Sequence, residues 1–393
     1  MEGTKRLYIK EADGFRFICV LGIIAYHIWQ QSWLTPSFTL FGSRISLDGF
    51  IRSCYLFVDL LLTLSGFVLF LPYAQSALMD APQPSLKTYY KSRIARIIPS
   101  YYLCIGIVFV YEAIAGSYSG ISDMLKDLLP HISFTHVFWL RSYSATNLNT
   151  SLWTLAVEMQ FYILFPVFAK AFKKQPLLTY AFMVIAAVCF RYLYAAKQQY
   201  TDMYINQLPA MLDAYANGML AAYVCVYLHK NGTDKCVKAF STVLVIVGIA
   251  AIYMLFISQT HEDGYENLRL GQLKRRYPLT LAGAMVLAFL SSGAKPLKLL
   301  FGNRVTKFLA SISYQMYLWH AVIALKLKEW RIPDYASEAN PQMNNEPDWQ
   351  LKYTLLCYIA TFVLSVLLTY LFEKKAYKHI MCKIDKQKAQ SLK

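Results

Sequence analysis

The stretch GFRFICVLGIIAYHIWQQSWL, residues 14–34, decides the fold. It is long and apolar enough to cross a ~30 Å hydrocarbon core as one helix, yet it carries two ionisable side chains, Arg16 and His27. Eleven helical steps of ~100° return to within ~20° of the starting direction, so both side chains share one face. At ~1.5 Å per residue they stand ~16 Å apart along the axis, the arginine near one membrane surface and the histidine near the middle. An ionisable group at that depth is costly unless it lines a wet or protein-lined cavity, so the pair marks a functional region.

Working outward, apolar runs of similar length recur along the chain. Of its 393 residues, 56% are hydrophobic and only 16% are charged, whereas soluble domains carry about 25% charged residues. The expected fold is all-α: a polytopic integral membrane helical bundle of about ten transmembrane helices in the lipid bilayer. The spans fall near 15–34, 55–72, 97–115, 151–169, 177–195, 208–228, 239–258, 277–293, 309–327 and 353–373. The segment 128–140 is too short to span and is expected to form an interfacial or re-entrant helix. An even number of spans puts both termini on one side, and loop Lys and Arg fall about two to one on that side. This predicts a multi-pass plasma-membrane protein with both termini cytoplasmic (N-in, C-in). The cluster Lys274, Arg275 and Arg276, expected in an outer loop, fits the rule poorly.

The net charge of +16 follows this distribution of loop charges, so no nucleic-acid partner is expected. Residues 1–377 read as a single membrane domain and 378–393 as a lysine-rich cytoplasmic tail. The first apolar stretch is too long for a signal peptide and no small-residue cleavage site follows it. The eight cysteines form no CxxC or Cys/His spacing, and no metal is expected. Two outer loops, 116–150 and 328–352, could help bind an acceptor or could simply connect spans. No internal repeat is visible, which weakens a transporter built from duplicated halves.

Several residues could carry chemistry, each with a structural alternative. His27 reads as a general base or as a hydrogen-bonded interhelical histidine. Arg16 reads as a phosphate grip or as a snorkelling anchor. In KSRIARIIPSYY, Arg93 and Arg96 lie one helical turn apart, able to converge on a polyphosphate or merely decorating the cytoplasmic end of a span. In SLWTLAVEMQFYILFP, Glu158 lies ~10 Å into a descending span, either charge-stabilising His27 or pairing for structure. Trp153 beside it is an interfacial anchor or an acceptor platform. SISYQMYLWH ends at His320, a second catalytic histidine or a structural polar contact. Asp59 and Glu373 read as helix-packing glue or end-of-span ion pairs.

Taken in order, these segments make the chain resemble the acyltransferase-3 family of integral membrane O-acyltransferases. The matching pieces are Arg16 and His27 with ten residues between them, LSGF at Ser65, Gly66 and Phe67, and Arg93-x-x-Arg96. LWTLAVEMQFY at 152–162, the segment from Ser313 to His320, and Glu373 follow. Met159 stands where many relatives carry a second glutamate, and the chain is expected to be a stand-alone form without a fused SGNH-type esterase domain. The resemblance implies an enzyme that moves an acyl group, acetyl being favoured, from cytoplasmic acyl-CoA to an extracytoplasmic hydroxyl, a glycan by analogy. Arg16, Arg93 and Arg96 would hold the acyl-CoA phosphates, while His27, with Glu158 and His320, would serve catalysis as base or transient acyl carrier. The competing reading is a proton-coupled exporter with His27, Glu158 and His320 as a proton relay.

Overall fold

Backbone N–H and C=O groups in hydrocarbon have no water to bond, so apolar runs of this length close their hydrogen bonds internally as helices. The computed structural model describes residues 7–232, 234–262, 265–335, 340–344 and 346–391. The long helices are α1 (Glu11–Ser32), α2 (Phe57–Met79), α3 (Leu86–Ile114), α4 (Trp153–Lys174), α5 (Pro176–Cys189), α6 (Leu208–Asn231), α7 (Lys235–Gln259), α8 (Tyr265–Phe289), α9 (Arg304–Glu329) and α10 (Pro347–Leu368). Among the described residues nine helical segments are long and apolar enough to cross a membrane, and α8 is outside that set. The protein is an all-α polytopic membrane bundle; its sheet among the described residues is one antiparallel hairpin, Ser37–Leu40 with Ser43–Ser46.

The basic cluster is where expectation and structure part. Lys274, Arg275 and Arg276 do not sit in a loop; they lie inside α8, which starts twelve residues earlier than the expected span at 277. Arg276 is fully buried and pairs with Asp59 of α2 at 3.0 Å. A charge matched inside the protein no longer has to obey the side-of-membrane rule for loops. The short apolar segment is likewise displaced: a helix covers Ile121–Ile132, followed by short turns at His136–Phe138 and Leu140–Tyr143. Ile121, Leu125, Leu129 and Ile132 form an exposed apolar stripe at helical spacing, the pattern of a helix lying in an interface.

Contacts divide the chain into two compact units, 1–83 with 164–310, and 84–163 with 311–393. In the first unit α2 and α6 cross with backbone on backbone. A side chain at Gly66 would strike the carbonyl of Tyr215, and one at Gly218 the carbonyl of Thr63. This is the small-residue crossing by which membrane helices gain close van der Waals contact, and it gives the LSGF motif a packing role. Following α5, a π-helical turn at Phe190–Tyr194 carries Arg191 onto α6, where its guanidinium meets both oxygens of Asp213 at 2.9 and 2.6 Å and the Ala210 carbonyl at 2.8 Å.

In the second unit, Ser85 caps α3 by accepting the Thr88 amide at 3.2 Å. The Tyr89 and Tyr90 hydroxyls donate to the carbonyls of Tyr162 and Ile163 in the first half of α4, at 3.1 and 3.0 Å. Another π-helical turn, Thr369–Glu373, ends α10 and holds Glu373 before the helix Lys374–Ser391. Side chains of the lysine-rich tail from residue 383 onward lie outside the described residues.

Candidate active site

Both candidates of the first unit lie on α1, half-buried, as the eleven-residue spacing requires. His27 Nδ1 faces Gln30 Oε1 at 3.0 Å, and Gln30 Nε2 donates to the Tyr26 hydroxyl at 3.0 Å. This contact holds the imidazole, a group that can exchange a proton near neutral pH, against its own helix. Tyr26 packs edge-on against the imidazole at 5.3 Å between centroids, which limits ring rotation. Arg16 has the carboxylate of Asp13 3.8 Å away, and Asp13 also accepts from the Tyr8 hydroxyl. Sequence reading missed Gln30 and Asp13, although each lies three residues from a marker residue, and missed Tyr26, which is adjacent to His27 and gave no helical-spacing signal.

The second unit gathers the remaining motifs. The Arg93 guanidinium lies over the rings of Tyr89 and Tyr162, 5.8 and 5.6 Å from their centroids. Tyr162 hydrogen-bonds Glu158, one turn earlier on α4, and stands in the field of both Arg93 and Arg96. Glu373 accepts from Gln315 Nε2 at 2.8 Å and lies within the electrostatic reach of Arg96. Gln315 also donates to Ser100 Oγ at 2.7 Å, and Tyr314 donates to the Ile97 carbonyl at 2.9 Å. Arg93, Arg96, Glu158 and Glu373 thus form one cluster knitted by Tyr162 and Gln315. The two connecting residues sit inside recognised segments, but only packing showed what they connect.

His320 on α9 is fully buried. Its Nδ1 lies 2.8 Å from the Tyr317 carbonyl and 3.2 Å from that of Met316, both on its own helix. Arg16 and His27 therefore belong to the first unit, and Arg93, Arg96, Glu158 and His320 to the second. Among the described residues no group of three or more His, Cys, Asp or Glu side chains is placed to hold a metal ion.

A helical membrane bundle with a half-buried histidine on its first span, and an arginine pair within the electrostatic reach of two glutamates elsewhere, is an integral membrane protein built around ionisable groups. The chain belongs to the acyltransferase-3 family: the family's sequence profile, described as an acyltransferase domain, matches residues 9–374. Peptidoglycan O-acetyltransferase OatA of Listeria monocytogenes serovar 1/2a is 24% identical over 333 residues, 80% of this chain and 49% of its own length. O-acetyltransferase OatA of Staphylococcus aureus strain NCTC 8325 is 25% identical over 346 residues, 83% of this chain and 52% of its own. The chain spans about half the length of the curated relatives it matches. No solved structure matches it.

Proposed function

We propose that this protein is a membrane O-acyltransferase that moves an acyl group, acetyl foremost, from cytoplasmic acyl-CoA to a hydroxyl of an extracytoplasmic glycan. In this reading it is a plasma-membrane protein with both termini cytoplasmic. Arg16, Arg93 and Arg96 hold the donor phosphates through charge-assisted hydrogen bonds. The His27 imidazole takes the proton of the acceptor hydroxyl, the oxygen attacks the thioester carbonyl, the C–S bond breaks, and coenzyme A leaves as a thiolate that is then protonated. Glu158 and His320 serve as the proton-handling and charge-balancing groups of the second unit. The observation that carries the proposal is the orientation of His27. Gln30, which bonds the Tyr26 hydroxyl, holds the imidazole in place on the α1 face that also carries Arg16. The family membership and the peptidoglycan O-acetyltransferase relative support acyl transfer and a glycan acceptor.

The test is acyl transfer from radiolabelled acetyl-CoA in inverted membrane vesicles. Wild type should incorporate label, and His27→Ala should lose ~10²–10⁴-fold, the usual contribution of a general base. His27→Ala with unchanged incorporation would remove the histidine from the mechanism. Label in neither vesicle, with no acetyl-CoA protection of the wild type against thermal unfolding, would remove the donor as well.

A further inference from the structure

Within the first unit, a cavity of about 310 Å³ opens beside α1, lined by Tyr26, Trp29, Arg52, Tyr55, Gln259 and Glu262 among others. None of these was identified in the sequence, and neither the family profile nor the relatives' names assign them a role. The cavity is tied to His27 twice. Tyr26 forms its wall and packs against the imidazole, and Gln30 links the Tyr26 hydroxyl to His27 Nδ1. A molecule in the cavity is therefore one aromatic ring away from the proposed base.

The lining states what it would take. The Trp29 and Tyr55 rings flank Tyr26, with centroids 6.3 and 5.2 Å away, so three aromatic side chains meet at one wall. The charges that line the cavity are already matched. Arg52 pairs with Asp48 at 3.6 Å and lies over Trp29, and Glu262 pairs with Arg275 at 2.8 Å. Asp48 in turn accepts from Trp29 Nε1 at 3.1 Å. One further cation, Arg269, acts electrostatically on Tyr26 and Tyr55, bonds Gln272 and is not part of the lining. A cavity so balanced offers little to an anion, whereas aromatic faces with neutral amide and hydroxyl groups suit a molecule that is apolar on its C–H face and polar at its rim. Its volume is at the lower bound of ~300–1,000 Å³ for small-molecule sites, room for a sugar ring and not for a nucleotide with its pantetheine arm.

We propose that this cavity is the acceptor subsite and that it binds a neutral sugar residue through the Tyr26–Trp29–Tyr55 wall, so that the acceptor chain is held beside His27. The assignment rests on the acyltransferase reading for its purpose but not for its occupancy, so binding is measured first, without turnover. A panel of neutral hexose and N-acetylhexosamine trisaccharides is titrated into the purified full chain and followed by tryptophan fluorescence. Wild type should respond at millimolar sugar, and Trp29→Phe should abolish the response. No Trp29-dependent signal from any neutral trisaccharide, or a stronger one from a uronic-acid trisaccharide, overturns the proposal. In vesicles, Arg52→Ala and Tyr55→Ala should each raise the acceptor KM ~10-fold while leaving the acetyl-CoA KM unchanged, as expected for contacts made to one substrate alone. Equal shifts in both constants, or in neither, would overturn it. Sugar binding by a wild type that transfers no acetyl group would uphold the cavity and refute the enzymatic reading.

Discussion

Two regions of this molecule bury polarity in opposite ways. In the first unit the largest fully buried side chains are Arg191 and Arg276, each ion-paired and hydrogen-bonded to backbone carbonyls. In the second unit, outside the spans, His131 and His136 stack face to face, centroids 4.2 Å apart and planes 6° from parallel, both fully enclosed. His131 Nδ1 meets the Asp127 carbonyl at 2.8 Å. Its Nε2 and both ring nitrogens of His136 make no hydrogen bond of ordinary geometry among the described residues. Burial holds His131 below the usual imidazole range and His136 down to about 3, with the neighbouring ring adding to the effect on His136. The lesson is one of robustness. Paired charge tolerates pH but not the loss of a partner, whereas a buried neutral base tolerates a changed neighbour but not a proton.

The sharpest way to break the comparison is to orphan one charge. Arg276→Ala leaves Asp59 buried without its guanidinium and should cost about 3–5 kcal/mol, enough to prevent stable folding in detergent. The double variant Asp59→Leu with Arg276→Met, which removes both charges at similar volume, should recover most of that loss in the same thermal-unfolding assay. A double variant as unstable as the single would show that the pair does more than match charge. Next in size is overpacking of the α2–α6 crossing. Gly218→Val sets a branched side chain against the Thr63 carbonyl and should destabilise by at least ~1–3 kcal/mol, with a lowered melting temperature at every pH.

The histidine pair should respond to acid alone. Its folded-state affinity for protons is depressed, so the unfolded chain takes them up first as the pH falls through ~6.5. Stability from burying these rings neutral is complete above that pH. It should fall by about 1.4 kcal/mol per pH unit for His136 below it, until its folded value is reached. Charged groups facing the pair are Asp127 and Arg141, with Asp123 beyond, bonded to Arg141 at 2.7 Å. His136→Phe keeps an aromatic face for His131 and should flatten the pH slope between 6.5 and 4.5 in a proteolysis assay of the 116–149 segment. An unchanged slope would place the titrating group elsewhere. The smallest effect is expected at the half-exposed Arg52–Asp48 pair, where Arg52→Ala should move stability by no more than about 1 kcal/mol.

Legibility followed the same division. Helix existence and number were readable because apolar length in hydrocarbon admits few alternatives, and nearly every long helix lies on an expected span. Two helices begin well before their expected spans, α3 eleven residues early and α8 twelve, and at α8 the reason is that Lys274, Arg275 and Arg276 read as a loop. Only Asp59, 217 residues away in sequence, makes a helix interior tolerable for Arg276. Asp59 itself had been left open between packing glue and an end-of-span pair. Asp213, a carboxylate inside LPAMLDAYANG, was just as visible and was passed over. Residue type and spacing single out Arg16, His27, Arg93, Arg96, Glu158 and His320 as candidates. Among their contact partners, Gln30 stands one turn from His27 and could be found by spacing, whereas Tyr26, Tyr162 and Gln315 are ordinary polar residues that carry no signal until a contact is made.

What the sequence determined by itself was the all-α membrane class, the approximate spans and the family. All of these follow from local composition and from the rise of a helix. Tertiary structure alone decided which buried charges are matched, and that an aromatic-walled cavity lies across Tyr26 from His27. Those outcomes depend on side chains brought together from distant segments, and pairwise contact across such separations is set by packing rather than by any local periodicity.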